Sequence, residues 1–407
     1  MHSRQSSIFN VTVVVAALGY FVDIYDLLLF GIIRVKSLSS LGLDTTQVRD
    51  SGEFIISIQM IGLLIGGIIW GIMGDKKGRI SVLFGSIILY SLANIANGFV
   101  QTIGQYAFVR LIAGIGLAGE LGAGITLVSE LLSKEKRGLG TSLVAGIGIT
   151  GAVAAYFISK EFDWRTCYFI GGGLGLVLLL LRISVFESGM YEQVRTMNIS
   201  RGNIAMFFNN KTRFKKYFFS ILIGMPTWYV IGVLVTFSKE FGVAFGIREP
   251  IDVGKAIMYA YAFVAIGDVL IGFISQWLKS RKKALFIFYV INIVFGILYF
   301  LQNSHSSDTT MYWLVAGLGF GTGYWAIFVT MAAEQFGTNL RALAAITAPN
   351  IVRGSLPLII LLFKWLRGSV GYIAGGWITG VIVMGITLIA AWNTEETFGK
   401  DLNYVEK

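Results

Sequence analysis

The stretch Trp70-Gly71-Ile72-Met73-Gly74-Asp75-Lys76-Lys77-Gly78-Arg79 separates two long apolar segments of the chain. Each segment has about 20 residues, which is the length that an α-helix needs to cross a bilayer. A glycine at the start of the pattern allows two helices to approach closely. The acid and the bases of the short turn can bond to neighbouring helix ends. The pattern Gly-x-x-x-Asp-x-x-Gly-Arg therefore indicates a tight connection between two membrane-spanning helices.

The composition places the whole chain in a membrane. Of its 407 residues, 55% are hydrophobic and only 14% are charged, whereas soluble domains have about 25% charged residues. Fifty glycines against four prolines suit closely packed membrane helices. The net charge of +10 does not indicate nucleic-acid binding, because the basic residues fall in short loops, where they set membrane topology. We expect an all-α membrane protein in contact with the lipid bilayer.

Twelve apolar segments are long enough to span the membrane. They are centred near residues 22, 63, 90, 118, 149, 175, 227, 265, 292, 321, 352 and 381. The polar residues 188–214 separate an N-terminal six-helix bundle, residues 1–187, from a C-terminal one, residues 215–407. With both termini in the cytoplasm, the inner loops carry 17 basic residues and the outer loops 10, as the positive-inside rule requires. This predicts a multi-pass protein of the inner or plasma membrane with a cytoplasmic linker at 188–214.

The two halves repeat a motif. A seven-residue spacing from glutamate to arginine occurs at the same end of spans 4 and 10, offset by 204 residues, in the pairs Glu130/Arg137 and Glu334/Arg341. The string Gly71-x-x-x-Asp75 returns as Gly272-x-x-x-Gln276 at an offset of 201 residues. Such a repeat indicates two pseudo-symmetric bundles with substrate bound between them at mid-depth.

The turn after span 2 resembles the signature between helices 2 and 3 of the major facilitator superfamily. Arg110-x-x-x-Gly114-x-Gly116 in span 4 and Phe186-Glu187-Ser188 after span 6 extend the resemblance, the latter to sugar porters. Asp23-Ile24-Tyr25-Asp26 and Gly119-Glu120-Leu121-Gly122 are similar to sequences of the metabolite:proton symporters, which import carboxylates, proline or betaine. Proton-coupled phosphate symporters share the Asp-x-Tyr-Asp string. The resemblance implies the major facilitator fold.

Two positions depart from that family pattern. Ile80 replaces the second basic residue of the turn, and Gln276 replaces the aspartate expected in the second half. Gating ion pairs are therefore in doubt in the second half.

Ionisable residues inside the predicted spans are candidates for function, because a charge at bilayer depth costs several kcal/mol. They are Asp23 and Asp26 in span 1, Arg110 and Glu120 in span 4, Asp268 in span 8 and Arg353 in span 11. Both histidines fall outside the spans, so a proton relay has to use carboxylates.

Span 1 is the first candidate for proton coupling. Asp23 and Asp26 are three residues apart and share a helix face, and two acids so close in a low dielectric cannot both ionise cheaply. The alternative is that both pair structurally with Arg110. Glu120 lies about 15 Å along the helix from Arg110 and is the second proton-site candidate.

Span 11 is the main candidate for substrate binding. Arg353 lies between Pro349 and Pro357, and membrane helices tolerate such breaks where they line a cavity. Arginine can bind a carboxylate through two hydrogen bonds. The alternative is a structural pair between Arg353 and Asp268. The further candidates for the substrate walls are polar or aromatic: Arg110, Asn350, Trp228, Tyr229, Tyr324 and Trp325.

The charged residues at the loop ends are predicted to act as a gate. They would hold the inner face closed while the protein opens outward; the alternative is solvated loop charge without a role. The set comprises Gly71, Asp75, Gly78, Arg79, Glu130, Arg137, Glu334 and Arg341.

These features predict a secondary transporter that takes up a small polar, anionic metabolite with a proton by alternating access. Uptake of an amino acid, betaine or phosphate, and coupling to sodium, remain open alternatives. A drug/proton antiporter is disfavoured because span 5 carries no proline, and a receptor would need an added output domain. An enzyme is not expected, since no cofactor motif, metal-ligand cluster or nucleophile–base pair can be assembled. One chain of this fold suffices for transport, so we expect a monomer.

Overall fold

A computed structural model describes residues 11–133, 136–182, 191–192, 197 and 201–406. Within these ranges twelve helices are long and apolar enough to cross a membrane, and we number them spans 1 to 12. They are Val11–Ser40, Phe54–Lys77, Arg79–Asn97, Ile103–Leu131, Arg137–Glu161, Trp164–Leu181, Lys211–Val235, Val253–Leu278, Arg281–Phe300, Asp308–Glu334, Arg341–Val370 and Tyr372–Asn393. The predicted all-α fold with twelve spans is confirmed.

Large apolar side chains cover the outside of the helix bundle. Trp277, Trp392 and Leu180 are 82%, 77% and 67% exposed. Exposed apolar surface on this scale marks an interaction with another apolar phase. Helices suit that phase because they satisfy their own backbone hydrogen bonds.

The turn between spans 2 and 3 consists of a single residue. Gly78 has a φ of +101°, a region that glycine enters without steric cost. Span 2 ends at Lys77 and span 3 begins at Arg79. The reversal therefore brings Asp75 and Arg79 together, with 3.5 Å between Oδ1 and Nη1.

Spans 4 and 10 are broken at equivalent positions. Their segments are Ile103–Leu117 and Glu120–Leu131 in span 4, and Asp308–Thr322 and Trp325–Glu334 in span 10. The interruptions at Gly119 and Gly323 are 204 residues apart, which is the offset of the glutamate–arginine motif. The repeat seen in the sequence is thus also a repeat of helix interruptions.

Spans 5, 7 and 11 are also interrupted. Span 5 breaks at Thr150, and span 11 breaks at Ser355. Span 7 combines Lys211–Leu222, Met225–Tyr229 and a π-helical turn at Val230–Val235. Interrupted membrane helices are typical of transporter cores, where the freed backbone groups line a cavity or meet other helices.

The two halves pack closely through spans 2, 4 and 11. A Cβ atom added to Gly71 would lie 2.9 Å from Leu343 Cδ1, and one added to Gly122 would lie 2.6 Å from Ile346 Cα. Only small residues allow helices to approach so closely. A hydrogen bond of 2.9 Å between Thr330 and Thr141 adds a polar contact between the halves.

One face of the molecule carries the turn at Gly78 and residues 394–406, and we call it the terminal face. The predicted boundary at residue 187 and the Phe186-Glu187-Ser188 string lie outside the described residues. Span 7 begins at Lys211, within the range assigned to the linker from the sequence. The described end of that range includes a short 3-10 helix at Ile204–Phe207.

Candidate functional site

A small cavity with a volume of about 20 Å³, close to that of one water molecule, lies between the two halves. The first half contributes residues of spans 1 and 5, namely Tyr20, Ile24, Leu27 and Ile149. The second half contributes residues of spans 7, 8, 10 and 11, namely Thr227, Trp228, Ile231, Tyr261, Val264, Trp325 and Arg353. The cavity thus combines four aromatic rings, several aliphatic side chains and one cation.

Arg353 is the cation of this cavity. It is buried, and its Nη1 donates to Asn350 Oδ1 at 3.2 Å. Its guanidinium carbon lies 5.7 Å from the centre of the Trp325 ring. Nε has no hydrogen-bond partner among the described residues. Arg353 therefore keeps a donor for an anion, next to an aromatic wall.

Asp268 serves the interrupted span 10 and not Arg353. Its Oδ1 accepts a hydrogen bond of 3.0 Å from the backbone N–H of Ala326, at the start of the second helix segment. The first N–H groups of a helix have no partner within it, so the carboxylate acts as a cap. The alternative prediction of a structural Arg353–Asp268 pair is wrong.

A second cavity adjoins the first toward the face opposite the terminal face. Its volume is about 60 Å³, and it shares Leu27, Trp228 and Ile231 with the first cavity. Arg34 and Gln59 supply its polar wall among mainly apolar neighbours. The two cavities together form an approach from that face to Arg353.

Of the predicted substrate-contacting residues, Trp228, Trp325 and Arg353 line the central cavity and the others do not. The Tyr229 hydroxyl donates to the Gly376 carbonyl at 2.7 Å, and the Asn350 amide donates to the Ala118 carbonyl at 2.8 Å. These bonds hold both side chains against other helices.

Tyr324 and Arg110 are also absent from the cavity wall. The Tyr324 ring packs edge-on against Tyr289, with 5.1 Å between the ring centres. Arg110 lies inside the first half, where it is fully buried. The sequence analysis missed two cavity residues, Tyr20 and Tyr261. Tyr20 precedes Asp23 by three residues on the same helix face, which was an available signal.

Arg110 and Asp26 form an ion pair within the first half. Nη1 lies 2.8 Å from Oδ1, and Nη2 donates to the Asp26 carbonyl at 3.1 Å. Arg110 also lies over the Tyr168 ring, at 5.6 Å from its centre. The predicted structural pairing with Arg110 is thus present for Asp26 alone.

Asp23 is fully buried, and neither carboxylate oxygen has a hydrogen-bond partner among the described residues. Arg353, Glu120, Asp26 and Arg182 are near enough to act on it electrostatically. No group of three or more acidic, histidine or cysteine residues in the described ranges is arranged to bind a metal ion. Asp23 is therefore an acid whose charge has no direct counter-ion.

Glu120 forms a buried ion pair that the sequence analysis did not predict. Its Oε2 lies 2.5 Å from Arg182 Nη2, and its Oε1 accepts from Arg182 Nη1 at 2.7 Å and from Ser86 at 3.0 Å. Arg182 directly follows span 6 and was not among the ionisable residues singled out from the sequence. Gly19 leaves the space, since a Cβ atom there would lie 2.7 Å from Oε2.

At the terminal face, contacts join the two halves. Glu130 Oε1 accepts from Arg79 at 2.8 Å and from Arg341 at 2.9 Å. Asp75 accepts from the backbone N–H groups of Ala342 at 3.1 Å and Leu343 at 2.9 Å, at the start of span 11. Both acids of the first half thus bind the second half, and this face is closed.

The second half contains its own ion pair at this face. Arg281 Nη2 lies 3.0 Å from Glu334 Oε1, and the two residues correspond to Arg79 and Glu130 at offsets of 202 and 204. The departure at Gln276 thus does not remove this ion pair, because the first residue of span 9 supplies the cation.

Residues 394–406 cover the same face. Arg341 Nη2 donates to the Leu402 carbonyl at 2.5 Å, and Arg137 Nη1 donates to the Lys400 carbonyl at 3.1 Å. Glu396 accepts from the backbone N–H of Arg281 at 2.9 Å. Although partial burial opposes it, hydrogen bonds from Ser280 and backbone N–H groups lower the pKa of Glu396. The segment thus contacts loop ends of both halves.

The sequence matches a family model described as Major Facilitator Superfamily over residues 16–359. It is 24% identical over 410 residues to the niacin transporter NiaP of Acinetobacter baylyi, covering 89% of this chain and 90% of that protein. It is 26% identical over 400 residues to the 3-(3-hydroxy-phenyl)propionate transporter of Escherichia coli, covering 95% and 94%.

A solved structure shares the architecture. The proton:xylose symporter XylE, bound to 6-bromo-6-deoxy-D-glucose, superposes with a TM-score of 0.77 at 18% sequence identity, covering 97% of this chain and 98% of that one. At this identity the likeness concerns the fold. The arrangement of twelve helices is the same in both proteins.

Proposed function

The chain belongs to the Major Facilitator Superfamily, and on that premise we propose that it takes up an aromatic carboxylate together with a proton by alternating access. It is a transporter of small molecules and not an enzyme. Its twelve spans make it a multi-pass membrane protein. The observation that carries the proposal is Arg353, a buried cation with an unused donor in a cavity walled by aromatic rings.

The chemistry of the cavity suits a planar ring with one carboxylate. An arginine binds a carboxylate through charge-assisted hydrogen bonds, which are about twice as strong as neutral ones. Trp228, Trp325, Tyr20 and Tyr261 offer surfaces on which an aromatic ring can stack at favourable distances. A sugar has neither a carboxylate for Arg353 nor an aromatic ring to stack.

Two relatives support this substrate class by their names. Niacin and 3-(3-hydroxyphenyl)propionate are the molecules named for the Acinetobacter and Escherichia transporters, and each combines an aromatic ring with a carboxylic acid. Both relatives match the chain over most of its length. We extend the shared chemistry to this chain, without choosing the particular acid.

Asp23 supplies the coupling in this proposal. When it is ionised, it attracts Arg353 and competes with the substrate carboxylate. Protonation removes that competition, so that the anion binds Arg353 more strongly. Substrate and proton then cross as an electrically neutral load, and rocking one half against the other no longer moves an uncompensated charge through a low-dielectric region.

The direction follows from the charges and from the closed face. The terminal face bears most of the basic loop residues, so we place it in the cytoplasm. In this conformation the terminal face is closed by Glu130 and Asp75, while the cavities adjoin the opposite face. Widening of these small cavities from this state would admit substrate from outside the cell.

The test is uptake by proteoliposomes of labelled nicotinate, benzoate and 3-(3-hydroxyphenyl)propionate, with xylose, betaine, proline and phosphate as controls. We expect accumulation of at least one aromatic acid when the outside is acidic, and loss of accumulation when a protonophore collapses the gradient. Accumulation that survives the protonophore but requires sodium contradicts proton coupling. Accumulation of a control compound alone contradicts the substrate class.

A further inference from the structure

Two polar helix faces meet inside the first half. Span 3 presents Ser86, Tyr90, Asn94 and Asn97, whose spacing of four, four and three residues places them on one face. All four are fully buried. Span 1 presents Gly19, Asp23 and Asp26 at the corresponding spacing of four and three residues. We call the region between these two faces the polar seam.

Contacts at two levels show that the faces meet. Near the terminal face, Ser86 donates to Glu120 at 3.0 Å, and the same carboxylate lies against Gly19 of span 1. Further along, Asn94 lies beside Asp26. Asp23 and Tyr90 fall between these levels. The seam therefore runs from the Glu120–Arg182 pair to Asn97, the last residue of span 3, near the opposite face.

Many polar atoms of the seam lack a hydrogen bond of normal geometry within the described chain. They are both oxygens of Asp23, Asp26 Oδ2, the hydroxyls of Tyr90 and Ser91, and the amide groups of Asn94 and Asn97. An unsatisfied buried polar group costs about 1–3 kcal/mol. Internal water molecules, which make about three hydrogen bonds each to such groups, are the usual remedy. Because these unsatisfied groups follow one another along the seam, water molecules bound to them would form a row.

Span 6 packs closely against the polar side chains of span 3. A Cβ atom added to Gly175 would lie 2.0 Å from Ser91 Oγ, and one added to Gly171 would lie 3.3 Å from Asn94 Nδ2. A larger residue at Gly175 would therefore displace the Ser91 side chain. The glycines of span 6 thus provide the room that these polar side chains occupy.

With Asp23 ionised, the side chains of the seam and their paired arginines carry a net charge of −1. Asp26 is paired with Arg110 at 2.8 Å, and Glu120 is paired with Arg182 at 2.5 Å. Asp23 is the third acid, and its electrostatic neighbour in the second half is Arg353. Tyr90 is the titratable group that span 3 contributes to the seam. One proton on Asp23 makes the seam neutral.

We propose that the polar seam is a proton pathway, in which water held by Asn97, Asn94, Tyr90 and Ser91 carries protons from the non-terminal face to Asp23. This pathway is separate from the cavities between the halves, through which the substrate passes. Each water accepts a proton on one side and releases another on the far side, and the last transfer forms an O–H bond on Asp23. The proposal rests on the proposed proton coupling and adds its route.

Among the described residues, the second half has no equivalent seam. At the offset of 202 residues that relates Arg79 to Arg281, the four seam positions of span 3 correspond to Phe288, Asn292, Gly296 and Tyr299. Tyr299 donates to the Leu234 carbonyl at 3.0 Å and is thereby satisfied. Asn292 alone keeps a buried amide, which makes it a matched control.

The experiment follows the carboxylic acid of Asp23 by infrared spectroscopy on the purified full chain in lipid nanodiscs. The C=O band that disappears in Asp23→Asn identifies this group, and its shift after a change from H2O to D2O gives the rate at which protons reach it. We expect Asn94→Leu and Asn97→Leu to slow this exchange about tenfold, through the loss of a water-holding group. Asn292→Leu should leave the rate unchanged.

The outcomes separate the pathway from the proposed function. Unchanged exchange in folded Asn94→Leu and Asn97→Leu overturns the pathway while leaving Asp23 as the proton acceptor. The absence of any acid band that depends on Asp23 overturns the acceptor and the pathway together. If a leucine variant does not fold, Tyr90→Phe removes one hydroxyl at nearly constant shape, and exchange at the native rate in that variant would contradict the proposal.

Discussion

The two halves of the molecule share a frame but differ in what they bury. Both contain an arginine–glutamate pair at the terminal face, Arg79–Glu130 and Arg281–Glu334, and both interrupt their fourth and fifth spans at equivalent positions. Away from the terminal face, the first half buries two ion pairs, Asp26–Arg110 and Glu120–Arg182, and the acid Asp23. The second half buries Asp268, Arg353 and most of the aromatic cavity wall.

In the proposed mechanism this difference separates two tasks. The proton would be taken up by Asp23 inside the first half, and its effect would reach the second half through the electrostatic interaction with Arg353. The substrate would be bound by residues that face the cavity, most of which belong to the second half.

The terminal face adds a second asymmetry. Glu130 binds the arginine of its own half and also Arg341 across the interface. Glu334 binds Arg281 within its own half. Of these two equivalent glutamates, Glu130 forms an ion pair across the interface on this face.

The largest effect should come from the unpaired acid of the first half. Asp23→Asn cannot take up or release a proton, so we expect concentrative uptake of the aromatic acid to be lost, while exchange across the membrane without a gradient persists. Asp268→Asn in the second half retains a capping side chain and should keep concentrative uptake. Both activities are measured in the same proteoliposomes. Full concentrative uptake by Asp23→Asn would remove this residue from the coupling.

The next largest effect should be on the free energy of unfolding, through the buried Glu120–Arg182 pair. Glu120→Gln leaves Arg182 buried without its counter-ion, and breaking such a pair destabilises a protein by about 3–5 kcal/mol. The double variant Glu120→Gln with Arg182→Met should regain much of that loss, because no uncompensated charge remains. Thermal unfolding in detergent measures both. A single variant as stable as the native protein would show that the pair is solvated.

The cation of the second half should control affinity. Arg353→Leu removes charge-assisted hydrogen bonds that contribute about 1.5–3 kcal/mol, so the KM for the aromatic acid should rise about tenfold to hundredfold. Arg353→Lys keeps the positive charge but loses the planar guanidinium that can bind both carboxylate oxygens. Its KM should therefore lie between those of the native protein and Arg353→Leu. Initial uptake rates give KM. An unchanged KM in Arg353→Leu would place the carboxylate elsewhere.

The smallest effect should concern the gate. Glu130→Gln weakens the contact with Arg341, and we expect the population open at the terminal face to rise about tenfold, as the loss of one hydrogen bond to a charged group implies. Glu334→Gln should change this population less. Spin labels at Lys77→Cys and Lys283→Cys, in a Cys167→Ser background, report the distance between the halves. Equal distance distributions for the two variants would contradict the asymmetry.

The sequence predicted the spans, the repeat and the existence of charged residues within the spans. It was less informative about which residue each charged side chain pairs with. Arg281 was counted as a loop charge and Arg182 was not singled out, yet both are buried and paired with Glu334 and Glu120. Asp268 was considered as one possible counter-ion for Arg353 and instead caps an interrupted helix.

Predictions for single aromatic residues were the least reliable. Trp228 and Trp325 line the cavity, whereas their neighbours Tyr229 and Tyr324 point to other helices. Adjacent residues on a helix lie about 100° apart, so only one of each pair faces the cavity. The orientation of a helix about its axis depends on all its neighbours and is not written in the local sequence.

The amino-acid sequence by itself determined that this chain crosses the membrane twelve times in two related halves, because the transfer of a helix into lipid depends on the residues of that helix alone. The tertiary structure decided which charges are paired and which acid is left without a partner, because pairing depends on distances between helices far apart in the chain. Asp23 and Asp26 share one face of one helix, and only the position of Arg110 distinguishes them.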